Sequence, residues 1–239
     1  MRDAAMLWTG GKDSSMALYE AGRNNCRVRC LVTFAPPGAR FLAHPLDFIE
    51  LQAEALALPH HVLPISEPFA ESYERALAEV RDRFGVDGVV TGDIAEVERM
   101  PNWIRERCRA VGMRVITPLW KRDRRALLEQ LLSRGFRARI SCVDVRWLPE
   151  DWVGRELDDA AVTELCALSR QTGMDPCGEA GEYHTLVVDG PQFARGIDIR
   201  SFSRRRTDSL AYMDIHELAP ATPGRRQRSS TGVADHPLR

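Results

Sequence analysis

Along the first half of the chain, short apolar runs alternate with longer stretches where apolar residues return every three or four positions. Ala4 to Trp8 is a brief apolar run ending in Thr-Gly-Gly, which predicts a buried strand. Ser14 to Ala21 follows as a helix, with Gly22 as its stop signal. Val28 to Phe34 predicts a second strand closed by Pro36-Pro37-Gly38. A helix over roughly 46–57, a strand from His61 to Ile65 and a helix marked by Tyr73, Leu77, Val80 and Phe84 come next. Gly88 to Thr91 predicts a fourth strand, Ile104, Cys108 and Val111 a helix, and Arg114 to Thr117 a fifth strand. This alternation predicts an α/β fold, a doubly wound parallel Rossmann-like sheet, with ligands beyond the carboxyl ends of its strands.

The pattern then changes. A helix with Leu127, Leu128, Leu131 and Leu132, a strand from Ala138 to Val145 and a helix over 158–171 precede strands at Tyr183 to Val188, 195–200 and 209–215. The expected organisation is an ATP-binding domain over 1–122 and a smaller α+β substrate-binding domain over 123–218. The stretch 219–239 is rich in Pro, Gly, Arg, Ser and Thr and is expected to be a disordered tail.

Composition narrows this little. Hydrophobic residues make up 44% and charged residues 28%, ordinary for a globular protein, and the net charge of −1 gives no global pull toward nucleic acid or anionic membrane. No eighteen-residue apolar run is present, and the six cysteines lack the density of a secreted disulfide scaffold. With no signal-peptide pattern, the expected compartment is the cytoplasm.

Chemistry concentrates first in Thr9-Gly10-Gly11-Lys12-Asp13-Ser14, between a strand and a helix. Gly10 and Gly11 permit positive φ and let backbone N–H groups approach an anion. The helix start adds its own N–H groups and positive dipole end. Lys12 brings a full positive charge, and Thr9, Ser14 and Ser15 bring hydroxyls. Asp13 is a carboxylate among phosphates, which calls for Mg²⁺ and makes Asp13 the expected metal ligand. The spacing is not that of a Walker loop. Phe34, Gly92 and Asp93, at the ends of other strands, complete the expected nucleotide-binding set. The second concentration is Asp175-Pro176-Cys177-Gly178-Glu179-Ala180-Gly181-Glu182-Tyr183-His184-Thr185, where two carboxylates between glycines suit a metal, a cationic substrate or ammonia.

The hexapeptide resembles the Ser-Gly-Gly-x-Asp-Ser loop of PP-loop ATP pyrophosphatases, with Thr9 keeping the hydroxyl. Residues 177–185 resemble the Cys-Gly-Glu-x-Gly-Glu-[Phe/Tyr]-x-Thr motif of the diphthine–ammonia ligase family. Ala43-His44, Gln52-Ala53-Glu54-Ala55-Leu56, Gly92-Asp93-Ile94 and Pro118-Leu119-Trp120 with Asp123 fall in that family's order. The resemblance covers roughly residues 4–193. It implies an ATP- and Mg²⁺-dependent amide ligase that adenylates a carboxylate, releases pyrophosphate and displaces AMP with ammonia. Lys12, Asp13, Glu179 and Glu182 would then be catalytic, and His44, Trp120, Gly178, Gly181, His184 and Thr185 would bind substrate. In eukaryotic and archaeal members the carboxylate is that of diphthine on elongation factor 2. Here Glu96 to Trp103 departs from the family's Tyr-Gln and Arg-x-Glu, and Gly154 to Asp158 resembles a bacterial branch. The acceptor, small or protein-borne, therefore stays open between diphthine and another acid such as a cobalamin-related one. A PP-loop transferase acting on tRNA is the alternative, with Cys177 as a persulfide carrier. Homo-oligomerisation is left open and no membrane partner is expected. Cys26 and Cys30 read as small residues flanking a strand rather than a metal pair, and Arg204 to Arg206 and Arg225-Arg226 as solvated charge.

Overall fold

The computed structural model describes residues 2–96 and 103–221. Five parallel strands form the first sheet: β1 (Arg2–Leu7), β2 (Cys26–Ala35), β3 (His60–Pro64), β4 (Gly88–Val90) and β5 (Arg114–Ile116), in the order β3-β2-β1-β4-β5. Four helices connect them: α1 (Lys12–Arg23), α2 (Leu46–Leu56), α3 (Phe69–Phe84) and α4 (Trp103–Ala110). Strand order reverses between β1 and β4, so the loops leaving these two strands flank a crevice.

The strands read as unbroken apolar runs because both faces of a parallel sheet are covered. Ala4 and Met6 of β1, Leu31 of β2 and Val90 of β4 pack with α1 and α2 on one face. Their neighbours Ala5, Cys30, Val32 and Val89 pack with Leu77 and Val80 of α3 and Cys108 of α4 on the other.

The second sheet is antiparallel. It contains β6 (Arg137–Asp144), β7 (Tyr183–Asp189), β8 (Ile197–Arg206) and β9 (Leu210–Pro220), in the order β7-β6-β9-β8, with α5 (Arg124–Ser133) and α6 (Asp159–Thr172) before and within it. Asp123 and Asp158 cap these two helices by accepting the Ala126 and Ala161 amides at 2.8 Å. The α1/α2 core continues without a break through Leu128, Ile140 and Leu186. One apolar interior thus joins the second sheet to the helical layer that carries the Thr9 loop.

Two expectations are corrected here. The last hairpin is longer than the pattern suggested, so Ala219 and Pro220 belong to β9; the rest of the expected tail, with Arg225-Arg226, lies outside the described residues. Arg204 to Arg206 lie on β8 and are exposed, as expected of solvated charge; Arg204 donates to the Val153 carbonyl at 2.9 Å and Arg205 pairs with Asp214 at 3.1 Å. Gly11 sits at φ −80°, ψ 173°, so Gly10 alone of the pair takes positive φ, at 77°. Most of the stretch 96–103 that departs from the ligase pattern also falls outside the described residues.

Candidate active site

The Thr9 loop is held from four directions. Gln52, fully buried on α2, donates its amide to the Gly10 carbonyl at 2.9 Å and the Val187 carbonyl at 2.8 Å, and accepts the Trp8 indole N–H at 3.2 Å. The Val187 amide reaches the same Gly10 carbonyl at 3.0 Å. A Cβ on Gly10 would lie 2.3 Å from the Gln52 Oε1, so glycine is required for space as well as for φ. Thr185 on β7 accepts the first helical N–H, that of Lys12, at 3.0 Å. From the third side the loop after β4 closes in: a Cβ on Gly92 would lie 2.7 Å from the Asp13 carbonyl carbon.

Lys12 provides the fourth tie. Its ammonium is buried, pairs with Asp13 Oδ2 at 2.7 Å, donates to the Cys177 carbonyl and sits 5.4 Å from the centre of the Tyr183 ring. Burial alone would lower the pKa of this ammonium; the adjacent Asp13 carboxylate outweighs it and keeps Lys12 charged. The lysine therefore bridges the Thr9 loop to the 175–182 loop of the second sheet.

The crevice between β1 and β4 holds a cavity of about 370 Å³. Thr9, Asp13, Ser14, Asp93 and Glu179 give it one polar end. Phe34, Tyr73 and Trp103 give it an aromatic wall, with ring centres 4.6 Å apart for Phe34–Tyr73 and 4.5 Å for Tyr73–Trp103.

The two motif glutamates behave differently. Glu179 lines the cavity, and its Oε1 accepts both the Ile94 amide at 2.9 Å and the Ala95 amide at 3.2 Å. Burial raises its pKa, and the two amides partly offset that. Glu182 spends both oxygens on its own loop, accepting Asp175 N–H at 2.7 Å and Ala180 N–H at 3.0 Å. It is buried and does not line the cavity. Gly178 and Gly181 shape the turn between them.

His44 and His184 form an edge-to-face pair with ring centres 5.2 Å apart. A Cβ on Gly11 would sit 3.4 Å from His44 Nε2. Burial pulls the His44 pKa down to about 3, and His184 beside it adds to the effect; burial lowers His184 as well. Both rings are neutral near pH 7. The unfolded chain takes up these protons near pH 6.5 and the folded chain only further down, so the unfolded state holds more protons in between. Stability is expected to fall as pH drops from about 6.5 toward 4, by up to about 1.4 kcal/mol per pH unit per histidine held neutral. Urea midpoints of wild type and His44→Asn across this range check it: the variant should lose less on acidification, and parallel curves would contradict the account.

Trp120 lies outside the cavity lining, under the Arg105 guanidinium at 5.8 Å from its ring centre. Cys177 is buried, its thiol donates to the Arg124 carbonyl at 3.3 Å, and burial pushes its pKa up to about 12. That is an unreactive thiol. Ser15 is buried, its hydroxyl without a hydrogen-bond partner among the described residues. The pattern along the chain passed over Tyr73, Trp103, Thr91 and Ile104 as cavity residues, and Gln52 as the clamp. Among the described residues no group of three or more His, Cys, Asp or Glu is placed to hold a metal ion.

A Rossmann-like α/β sheet with a polar loop at its switch point, completed by a loop from an antiparallel sheet, sets the class of the molecule. Its two halves have counterparts in known proteins: the diphthamide synthase N-terminal domain matches residues 1–115 and the diphthamide synthase C-terminal domain residues 123–219. The chain belongs to this diphthine–ammonia ligase family. A diphthine–ammonia ligase of Bos taurus is 27% identical over 228 residues, covering 84% of this chain and 84% of its own. One of Schizosaccharomyces pombe is 30% identical over 216 residues, covering 80% of this chain and 35% of its own length. A solved chain described as a predicted subunit of tRNA methyltransferase from Methanocaldococcus jannaschii aligns over 80% of this chain and 98% of its own, at 17% identity and a TM-score of 0.46.

Proposed function

We propose that this chain is an ATP-dependent carboxylate–ammonia ligase of the ATP pyrophosphatase type, with diphthine as acceptor. One observation carries the reading: a single cavity is lined by Thr9, Asp13 and Ser14 at the start of α1 and also by Glu179. A helix N-terminus favours phosphate, the aromatic wall suits a base, and the carboxylate is placed to deal with an amine. The names of the relatives support the acceptor and the nitrogen donor.

In this reading a carboxylate oxygen of the acceptor attacks the α-phosphorus of ATP. The bond to the bridging oxygen breaks, and pyrophosphate leaves with the electron pair. Ammonia then attacks the acyl carbon of the adenylate, AMP departs with the acyl–oxygen pair, and the surplus proton on nitrogen passes to Glu179 Oε2. Thr9, Ser14 and the backbone at the start of α1 orient the phosphates. Asp13 and Asp93 are the cavity carboxylates that would hold Mg²⁺, an ion that needs only one or two carboxylates beside phosphates and would neutralise the departing pyrophosphate. Lys12 acts from below, setting the distance between the Thr9 loop and Glu179. The buried, unreactive Cys177 speaks against a persulfide-carrying tRNA transferase.

The test supplies ATP, ammonium and elongation factor 2 bearing unamidated diphthine, and analyses the nucleotide products. AMP and pyrophosphate are expected; ADP and phosphate would sink the reading. In Glu179→Gln the amide oxygen can still accept from Ile94 and Ala95 while the basic oxygen is gone. Amide formation is expected to fall about 10²–10³-fold, with acceptor-dependent ATP–pyrophosphate exchange kept within a few-fold. Equal loss of both activities would remove Glu179 from the ammonia step.

A further inference from the structure

Residues 117–123 join the two sheets, running from the end of β5 to the start of α5. This link and the helix start that follows it fasten the Glu179 loop at two points. At its tip, Glu179 Oε1 accepts the Ile94 and Ala95 amides, and the Ile94 carbonyl in turn accepts the Lys121 amide at 2.7 Å. At its root, Arg124, the first residue of α5, donates Nε to Asp175 Oδ2 at 2.8 Å. The other oxygen of Asp175 accepts the Cys177 amide at 2.8 Å, and the Asp175 amide donates to Glu182 at 2.7 Å. One short stretch of chain thus reaches the carboxylate through the β4 loop on one side and through its own loop on the other.

Two features set these contacts apart from ordinary surface chemistry. Lys121 has φ 58°, in the left-handed region that lysine seldom occupies, so its surroundings impose the turn. In that turn its amide meets Ile94. The side chains of Arg124 and Asp175 are only 24% and 20% exposed, so the pair is screened little by solvent and salt. Burial works against the Arg124 charge; Asp175 outweighs it, with a smaller contribution from Glu179, and the guanidinium stays charged. Arg125, the next residue along, is by contrast exposed and pairs with Glu129 one turn further down α5.

We propose that Arg124 is a positioning residue: through Asp175 it fixes the root of the 175–182 loop, so that Glu179 meets the Ile94 and Ala95 amides and lines the cavity. Arg124 is not itself a cavity residue. The consequence for the ammonia step rests on the ligase reading given above; the seating of Glu179 does not.

Two measurements on the full chain test this. The first follows amide hydrogen exchange of Ile94 and Ala95 by NMR and needs no substrate. In Arg124→Gln both amides should exchange about tenfold faster or more, while those in the middle of α5 keep wild-type rates. The second supplies ATP, ammonium and elongation factor 2 bearing unamidated diphthine. Arg124→Gln should lower kcat/KM for ammonium by about tenfold or more, as expected when a remote change displaces a reacting group, and should keep acceptor-dependent ATP–pyrophosphate exchange within about threefold. Arg124→Lys, which keeps the charge and a donor, should recover most of both losses, and Arg125→Ala should match wild type. Should Arg124→Gln fail to fold, Asp175→Asn supplies the same two readouts, because it keeps an oxygen for the Cys177 amide and loses the charge. Wild-type exchange rates at Ile94 and Ala95 overturn the proposal. Equal losses in both activities together with faster exchange throughout α5 overturn it as well, since the bridge would then support folding alone. A wild type that releases no AMP, with Ile94 and Ala95 still loosened in Arg124→Gln, rejects the ligase reading and leaves the positioning role standing.

Discussion

Gln52→Leu is expected to destabilise the folded chain by about 2–4 kcal/mol and to lower nucleotide affinity, although Gln52 is absent from the cavity lining. The leucine fills a similar volume but makes none of the three hydrogen bonds. The Trp8 indole N–H loses its acceptor in a dry environment, and the Val187 carbonyl loses a donor. The Gly10 carbonyl keeps only the Val187 amide, so the loop is held by one bond where it had two. Gln52→Glu separates geometry from volume: at pH 7 its carboxylate would face two carbonyl oxygens. Its pKa would be raised in the folded state, so this variant should regain stability as pH falls, until the protonated acid can donate to one of them. Urea unfolding at pH 7 and pH 5 checks both; a Gln52→Leu protein within 0.5 kcal/mol of wild type, roughly the scale of a neutral surface change, would mean that the clamp carries no energy.

Lys12→Met should reduce amide formation at least about 10³-fold, the scale expected when a positioned charge is lost from a dry site. It leaves Asp13 without its cation, and it frees the Cys177 carbonyl and hence the loop bearing Glu179. Breaking a buried pair costs about 3–5 kcal/mol; since Asp13 is one-third exposed, roughly half of that is expected here. Hydrogen exchange gives the more telling readout. Amides of residues 177–183 should lose protection in the nucleotide-free variant while those of β1 and β2 keep it. If protection were unchanged and only phosphate affinity fell, Lys12 would be a phosphate ligand and nothing more.

The first sheet was readable because each of its strands is a short apolar run bounded by glycine or proline, and each helix repeats at 3.6. Helix ends were less readable: α3 begins at Phe69, four residues before the first periodic position, since Pro68 starts it without an apolar signal. The β8–β9 hairpin was drawn short because its outer half is arginine-rich and half-exposed, and cross-strand ion pairs hold what hydrophobic alternation does not mark. At the site, residues with an unusual local requirement were visible, such as Gly10, Gly92 and Glu179. Tyr73 was hidden because it satisfies the helical period, so a residue that faces the cavity from one edge of α3 looks like any other apolar position. Gln52 was hidden for the opposite reason, since a single amide on a helix carries no sign that three partners, all more than forty residues away in sequence, converge on it. Glu179 and Glu182 look equivalent in the motif, and only the hydrogen-bond directions tell the carboxylate that faces the cavity from the one that folds its own turn.

The amide of Lys12 is capped by Thr185, and the carbonyl of Gly10 is reached by Val187, both from a strand more than 170 residues downstream. The loop at the front of the chain is therefore unfinished until the back of the chain has been made and paired. During synthesis no phosphate cradle of this shape exists while the first sheet stands alone. A nascent chain cannot trap nucleotide early, and a fragment ending near residue 122 would carry the whole hexapeptide without a finished site to show for it.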